Sequence, residues 1–144
     1  MGARRKGRII AFQSLYRSDV GGATLEELFD FSWMDGEKPA AAAEDTLAFA
    51  RLLIQGTLEN LPAVDEAIRR ELENWDFSRL NRVDLAILRM SVYCLLFQPE
   101  IPHTVTIDEA VDIAKSFGTG DSYRFVNGVL DAVRKRGLAP GGPR

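Results

Sequence analysis

Arg79-Leu-Asn-Arg-Val-Asp-Leu-Ala-Ile-Leu-Arg-Met-Ser-Val-Tyr-Cys-Leu-Leu-Phe-Gln98 is the stretch on which the fold turns. Wound at helical pitch, it puts Leu85, Ile87, Leu88, Met90 and Val92 on nearly every side, so it predicts a helix buried at the centre of other helices. Pro99 and Pro102 end it. Its apolar part, Leu85 to Phe97, is interrupted by Arg89 and Ser91 and is too short to span a bilayer. A guanidinium at position 89 needs a carboxylate or several carbonyls to offset its desolvation, so a structural ion pair is expected of Arg89.

Working outward, helical spacing recurs and no period-two alternation is long enough for a sheet. Upstream, Ile9, Phe12, Leu15, Tyr16 and Val20 share one face of a helix expected from Arg5 to Val20 and stopped at Gly21-Gly22. Thr24, with Glu27 three residues on, marks the cap of a short second helix. After a loop around Ser32 to Pro39, a long helical segment starts near Ala41, and Pro62 breaks or kinks it near Leu61. Downstream, Thr106 and Glu109 read as a capping box, with Gly118 as a stop. The last helix starts at Asp121-Ser122 and ends at Gly137, with Tyr123, Val126, Val129, Leu130 and Val133 as its core stripe. The expected fold is all-α, a compact bundle of about seven helices. It forms a single domain over residues 1–138, followed by a disordered Pro/Gly-rich tail at 139–144.

A chain of 144 residues, 46% hydrophobic and 27% charged, suits one soluble domain. The lone cysteine, Cys94, allows no intramolecular disulfide and sits in an apolar run that reads as core. Without an apolar leader or a spanning segment, a cytoplasmic protein with no membrane association is expected. Catalytic groups are sparse. His103, the one histidine, is expected at a loop between helices, with no nucleophile motif nearby. Asp108, Glu109 and Asp112 are explained as acids that favour a helix start and face solvent. No glycine-rich phosphate loop or metal-ligand spacing occurs, so no enzyme, no cofactor and no metal are expected.

The net charge of -3 hides an asymmetry. Residues 1–20 hold five bases against Asp19 alone, whereas residues 21–76 hold four bases against thirteen acids. Arg4, Arg5, Lys6 and Arg8 form the basic start. Cations there oppose the helix dipole, a cost that an external phosphate removes. A merely solubilising tail is the other reading of the same run. Phe125, at the edge of the last helix's stripe, either packs under a neighbour or offers a ring to an unstacked base. Arg124, Arg134, Lys135 and Arg136 add positive charge to that helix. Basic residues beside an aromatic are the footprint of single-stranded RNA binding.

Three segments carry a resemblance. Ile101-Pro-His-Thr-Val-Thr-Ile-Asp-Glu-Ala-Val-Asp-Ile-Ala-Lys-Ser-Phe-Gly-Thr-Gly-Asp-Ser-Tyr-Arg-Phe-Val-Asn-Gly-Val-Leu-Asp131 closely resembles the C-terminal signature of the NusB family of antitermination factors. Arg4-Arg-Lys-Gly-Arg8 with Ala11-Phe-Gln-Ser-Leu-Tyr16 resembles that family's arginine-rich start, and Arg82-Val-Asp-Leu-Ala-Ile-Leu-Arg89 its central helix. Where the family's start often has a further arginine and an acid, Gly7 and Ile9 stand here. The resemblance implies two small packed helical sub-bundles. It also implies recognition of single-stranded boxA RNA in leader or ribosomal RNA transcripts, together with the ribosomal protein NusE. The pair would join the RNA polymerase antitermination complex with other Nus factors. Carried over by position, Arg4, Arg5, Lys6, Arg8, Asp121, Arg124 and Phe125 are expected at the RNA, and Tyr16 and Asp84 at the partner. The alternatives are a helical protein-interaction module without RNA, or the RNA-binding domain of an RNA cytosine methyltransferase.

Overall fold

The computed structural model describes residues 2–30, 44–72 and 76–137. The expected loop at 32–39, the start of the third helical segment near Ala41 and the tail at 139–144 lie outside these residues. Among those described, the helices are α1 (Ala3–Gly21), α2 (Leu25–Asp30), α3 (Glu44–Glu59), α4 (Leu61–Arg70), α5 (Arg82–Phe97), α6 (His103–Phe117) and α7 (Ser122–Gly137). A 3-10 turn, Phe77–Arg79, precedes α5.

Local chemistry sets most boundaries. Gly22 ends α1 in the left-handed conformation, φ 69°, which a side chain would disfavour. Its N–H donates to the Ser18 carbonyl at 3.2 Å. At α2, the Thr24 N–H donates to Glu27 Oε1 at 2.9 Å and the Glu27 N–H to Thr24 Oγ1 at 3.2 Å, a reciprocal capping box. Pro62 falls in the first turn of α4, where its missing donor costs nothing. Asn81 caps α5 by accepting from the Val83 and Asp84 N–H groups at 2.9 and 3.1 Å.

Helix α5 is the axis of the fold, packing against α1, α3, α4, α6 and α7. Leu85, Ile87, Leu88, Met90 and Val92 are buried along it, each contributing roughly 1.5–3 kcal/mol of burial. Helices α1 and α3 pack on each other, as do α6 and α7, and α4 packs against α5. Gly56 lets α3 meet α5, because a Cβ there would collide with the Tyr93 ring. Arg89 forks onto Asp65 through Nε and Nη2, both at 2.9 Å, and lies 3.8 Å from Asp19. Burial pushes the Cys94 thiol up to about 12, so it stays protonated as a packing group. No described helix is long and apolar enough to cross a membrane.

Three expectations differ from the structure. Helix α6 begins at His103, not Thr106, so His103 is helical and Thr106 is a buried interior residue. Its acids therefore lie past the first turn, and Glu109 is drawn away from solvent to Arg5. Val20, expected on the apolar face of α1, is 56% exposed at the last turn of that helix.

Candidate nucleic-acid interface

The first turn of α1 carries Arg4, Arg5 and Lys6 with no acid and no side-chain cap. Tertiary contacts hold it instead. Gly7 is buried against α3, where a Cβ would sit 2.9 Å from the Phe49 ring and 3.1 Å from the Thr46 carbonyl. That close approach brings two arginines, one turn apart, onto a single aromatic: Arg4 Cζ lies 4.3 Å and Arg8 Cζ 5.2 Å from the Phe49 centroid. Beside them an open groove of about 730 Å³ runs along Arg4, Phe49, Leu52, Ile101 and Val105.

The four cations of the start are thereby divided. Arg5 donates to Glu109 through Nε at 3.0 Å and Nη2 at 2.7 Å, and through Nη2 also to Asp112 at 2.8 Å. These bonds hold the Glu109 carboxyl below its ordinary range. Arg8 is only 7% exposed, and burial lowers its proton affinity. Its Nη1 is 3.9 Å from Glu109. A guanidinium so covered has little surface to offer a phosphate, so the structure places Arg8 as an internal cation, unlike the exposed RNA contact expected of it. Arg4 and Lys6 are exposed, with no carboxylate in ion-pair range among the described residues.

The α6–α7 corner is built by close backbone approach. A Cβ at Gly118 would lie 2.6 Å from the Ser122 side chain, and Ser122 Oγ accepts from the Thr119 N–H at 3.1 Å. The Asp121 carbonyl accepts from the Arg124 and Phe125 N–H groups at 3.1 and 3.2 Å, leaving the exposed Asp121 carboxylate near Arg124. Arg124 Nε donates to the Tyr123 hydroxyl at 3.0 Å, and Lys115 Nζ stands 5.2 Å from the Tyr123 centroid. Phe125 is half-buried against the core with part of its surface outward. Exposed Phe117 meets Phe12 edge-on, with ring centroids 5.1 Å apart. From Glu109 to Phe117, α6 spans roughly 12 Å between the start of α1 and this corner.

The remaining site residues fall elsewhere. Arg134 and Lys135 pair with Asp131 at 2.8 and 3.1 Å, and Arg136 with Glu71 at 2.7 Å, so these cations are committed within the protein. Tyr16 is half-buried on α1. Asp84 is 7% exposed, and burial raises its carboxyl above the usual range. A direct partner contact by Asp84 does not fit that burial. Phe49, Glu109 and Asp112 were missed as members of this region. Only the Arg4/Arg8 spacing, which places both on one face of α1, hinted at a shared neighbour.

The model of the NusB family matches residues 5–135. A Treponema pallidum (strain Nichols) protein named transcription antitermination protein NusB is 53% identical over 132 residues, covering 92% of each chain. A solved T. maritima NusB structure superposes with a TM-score of 0.81 at 38% identity, covering 92% of this chain and 90% of that one. A structure titled as antitermination factors NusB and NusE in complex with dsRNA gives a TM-score of 0.78 at 27% identity, covering 94% of this chain and 98% of that one.

Proposed function

This chain belongs to the NusB family, and from that premise we propose that it is an RNA-binding transcription antitermination factor acting with NusE. Its RNA is boxA in ribosomal RNA transcripts. The complex joins RNA polymerase and other Nus factors in the cytoplasm, and the chain works by binding, without catalysis, as one domain over residues 1–138. The observation that carries the reading is the exposed Arg4 and Lys6 on a helix start that has no acid of its own. A polyanion brought there meets two uncompensated cations and the positive end of the α1 dipole.

Arg4 and Lys6 supply phosphate contacts, and Phe125 with Arg124 supplies the stacking edge at the α6–α7 corner. Asp121 lies beside that edge and tempers its positive charge. Tyr16, toward the other end of α1, belongs to the NusE side. NusE and the RNA then hold the same protein at once, so two modest affinities combine through effective concentration. An anisotropy titration of labelled boxA RNA, with and without NusE, tests this. Saturable binding that tightens when NusE is added is expected, and equal binding of a scrambled RNA in both conditions would overturn it.

A further inference from the structure

We propose that Glu109 is a positioning residue for RNA binding, fixing the start of α1 through Arg5 and Arg8 so that Arg4 and Lys6 meet the RNA; this rests on the function proposed above. An acid beside a phosphate site is a liability, since it repels the ligand. Glu109 and Asp112 both face the basic start, at 2.7 and 2.8 Å from Arg5. Together they cancel the charges of Arg5 and Arg8. Four cations in the sequence thus act as two on the surface.

What the carboxylate provides in return is structural. The start of α1 has no side-chain cap, no acid in its first turn, and three consecutive cations opposing its dipole. Left alone, that turn frays. Glu109 grips it twice, with a two-pronged fork on Arg5 and a second contact to Arg8, whose one ion pair among the described residues this is. Arg8 in turn lies against the Phe49 ring that carries Arg4. The chain of contacts runs from Glu109 through Arg8 and Phe49 to Arg4, and from Glu109 through Arg5 to its neighbours Arg4 and Lys6.

The direction of one mutational effect separates positioning from plain electrostatics. Glu109→Gln removes a negative charge from the RNA-facing side, and charge alone predicts tighter binding. Positioning predicts weaker binding, by roughly tenfold, the equivalent of one lost charge-assisted hydrogen bond. Asp108→Asn makes the same charge change at an exposed neighbour on α6 and reports the plain charge effect. The experiment titrates single-stranded boxA RNA, in the presence of NusE, across a salt series with wild type, E109Q, D108N, R5A and R4A, each checked for folding by its melting curve. Expected are weaker binding by E109Q, unchanged or tighter binding by D108N, and weaker binding by R5A with an unchanged salt slope. R4A alone should flatten the slope, by about 0.7. If E109Q binds as tightly as wild type or more tightly, or if R5A flattens the slope as R4A does, Glu109 is no positioning residue. The reading of Arg4 and Lys6 then survives. Should E109Q fail to fold, the R5A slope decides. A wild type that binds no RNA removes the proposed function and this inference together.

Discussion

Two arginine clusters sit toward opposite ends of α1, and they use the same side chain in opposite ways. Near the C-terminal end, Arg89 is 14% exposed, forked onto Asp65 and within 3.8 Å of Asp19, while Arg82 reaches Asp19 at 3.4 Å. Arg69 and Arg89 bracket the Phe77 ring at 4.6 and 5.9 Å. Every guanidinium there has an internal partner. At the N-terminal end the pairing stops halfway: Arg5 and Arg8 are held, and Arg4 and Lys6 are left to solvent. A cation's role is thus set by the number of carboxylates facing it, which a count along the chain does not give. The half-paired cluster is the one that can take an outside polyanion.

The contrast is broken most forcefully at Arg89. Arg89→Ala leaves Asp65 uncompensated in a mostly covered site and should lower unfolding stability by about 3 kcal/mol or more, without changing the salt slope of RNA binding. Urea denaturation beside a salt titration measures both. A loss under about 1 kcal/mol would make this cluster no more structural than a surface pair. Next in size, Phe125→Ala should cost roughly 1–3 kcal/mol of RNA affinity if a base rests on the ring. A melting-temperature drop with RNA affinity intact would assign the ring wholly to the core. Asp121→Asn should tighten RNA binding by less than about 1 kcal/mol by removing repulsion beside Arg124, as read by anisotropy at low salt.

The smallest effect concerns pH. The folded Glu109 carboxyl titrates below its ordinary value because Arg5 donates to it. Its stabilising contribution is therefore complete above the unfolded carboxylate range, near pH 4.3, and is lost as pH falls through the lowered folded value. In E109Q this part of the acid dependence of the melting temperature should disappear; an identical pH profile would mean that the Arg5–Glu109 pair contributes nothing to stability.

Much of the fold could be read along the chain because its signals are local. Gly21-Gly22, the Thr24–Glu27 box, Pro62 and the all-round apolar face of α5 each act within a turn or two of their own position. The Thr106–Glu109 pattern misled for the complementary reason. Helix α6 starts three residues earlier, behind Pro102, so the Thr106 N–H already donates to the Pro102 carbonyl at 3.2 Å, and Glu109 is left for Arg5, 104 residues away in sequence. The burial of Asp84 was hidden for a like reason, since it depends on the packing of α5 against α7. The site was therefore only half visible. The run of cations was plain, but which of them remain unpaired depends on α3 and α6.

The central claim is that two cations, not four, present the start of α1 to RNA. Its most direct test is the salt dependence of boxA RNA binding by the double variant Arg4→Ala/Lys6→Ala, against Arg5→Ala/Arg8→Gln, each with NusE present and each checked for folding by its melting curve. The account predicts that the first flattens the slope by about 1.4, two single-strand phosphate contacts, while the second keeps the wild-type slope. Equal flattening by both, or none by the first, would contradict it.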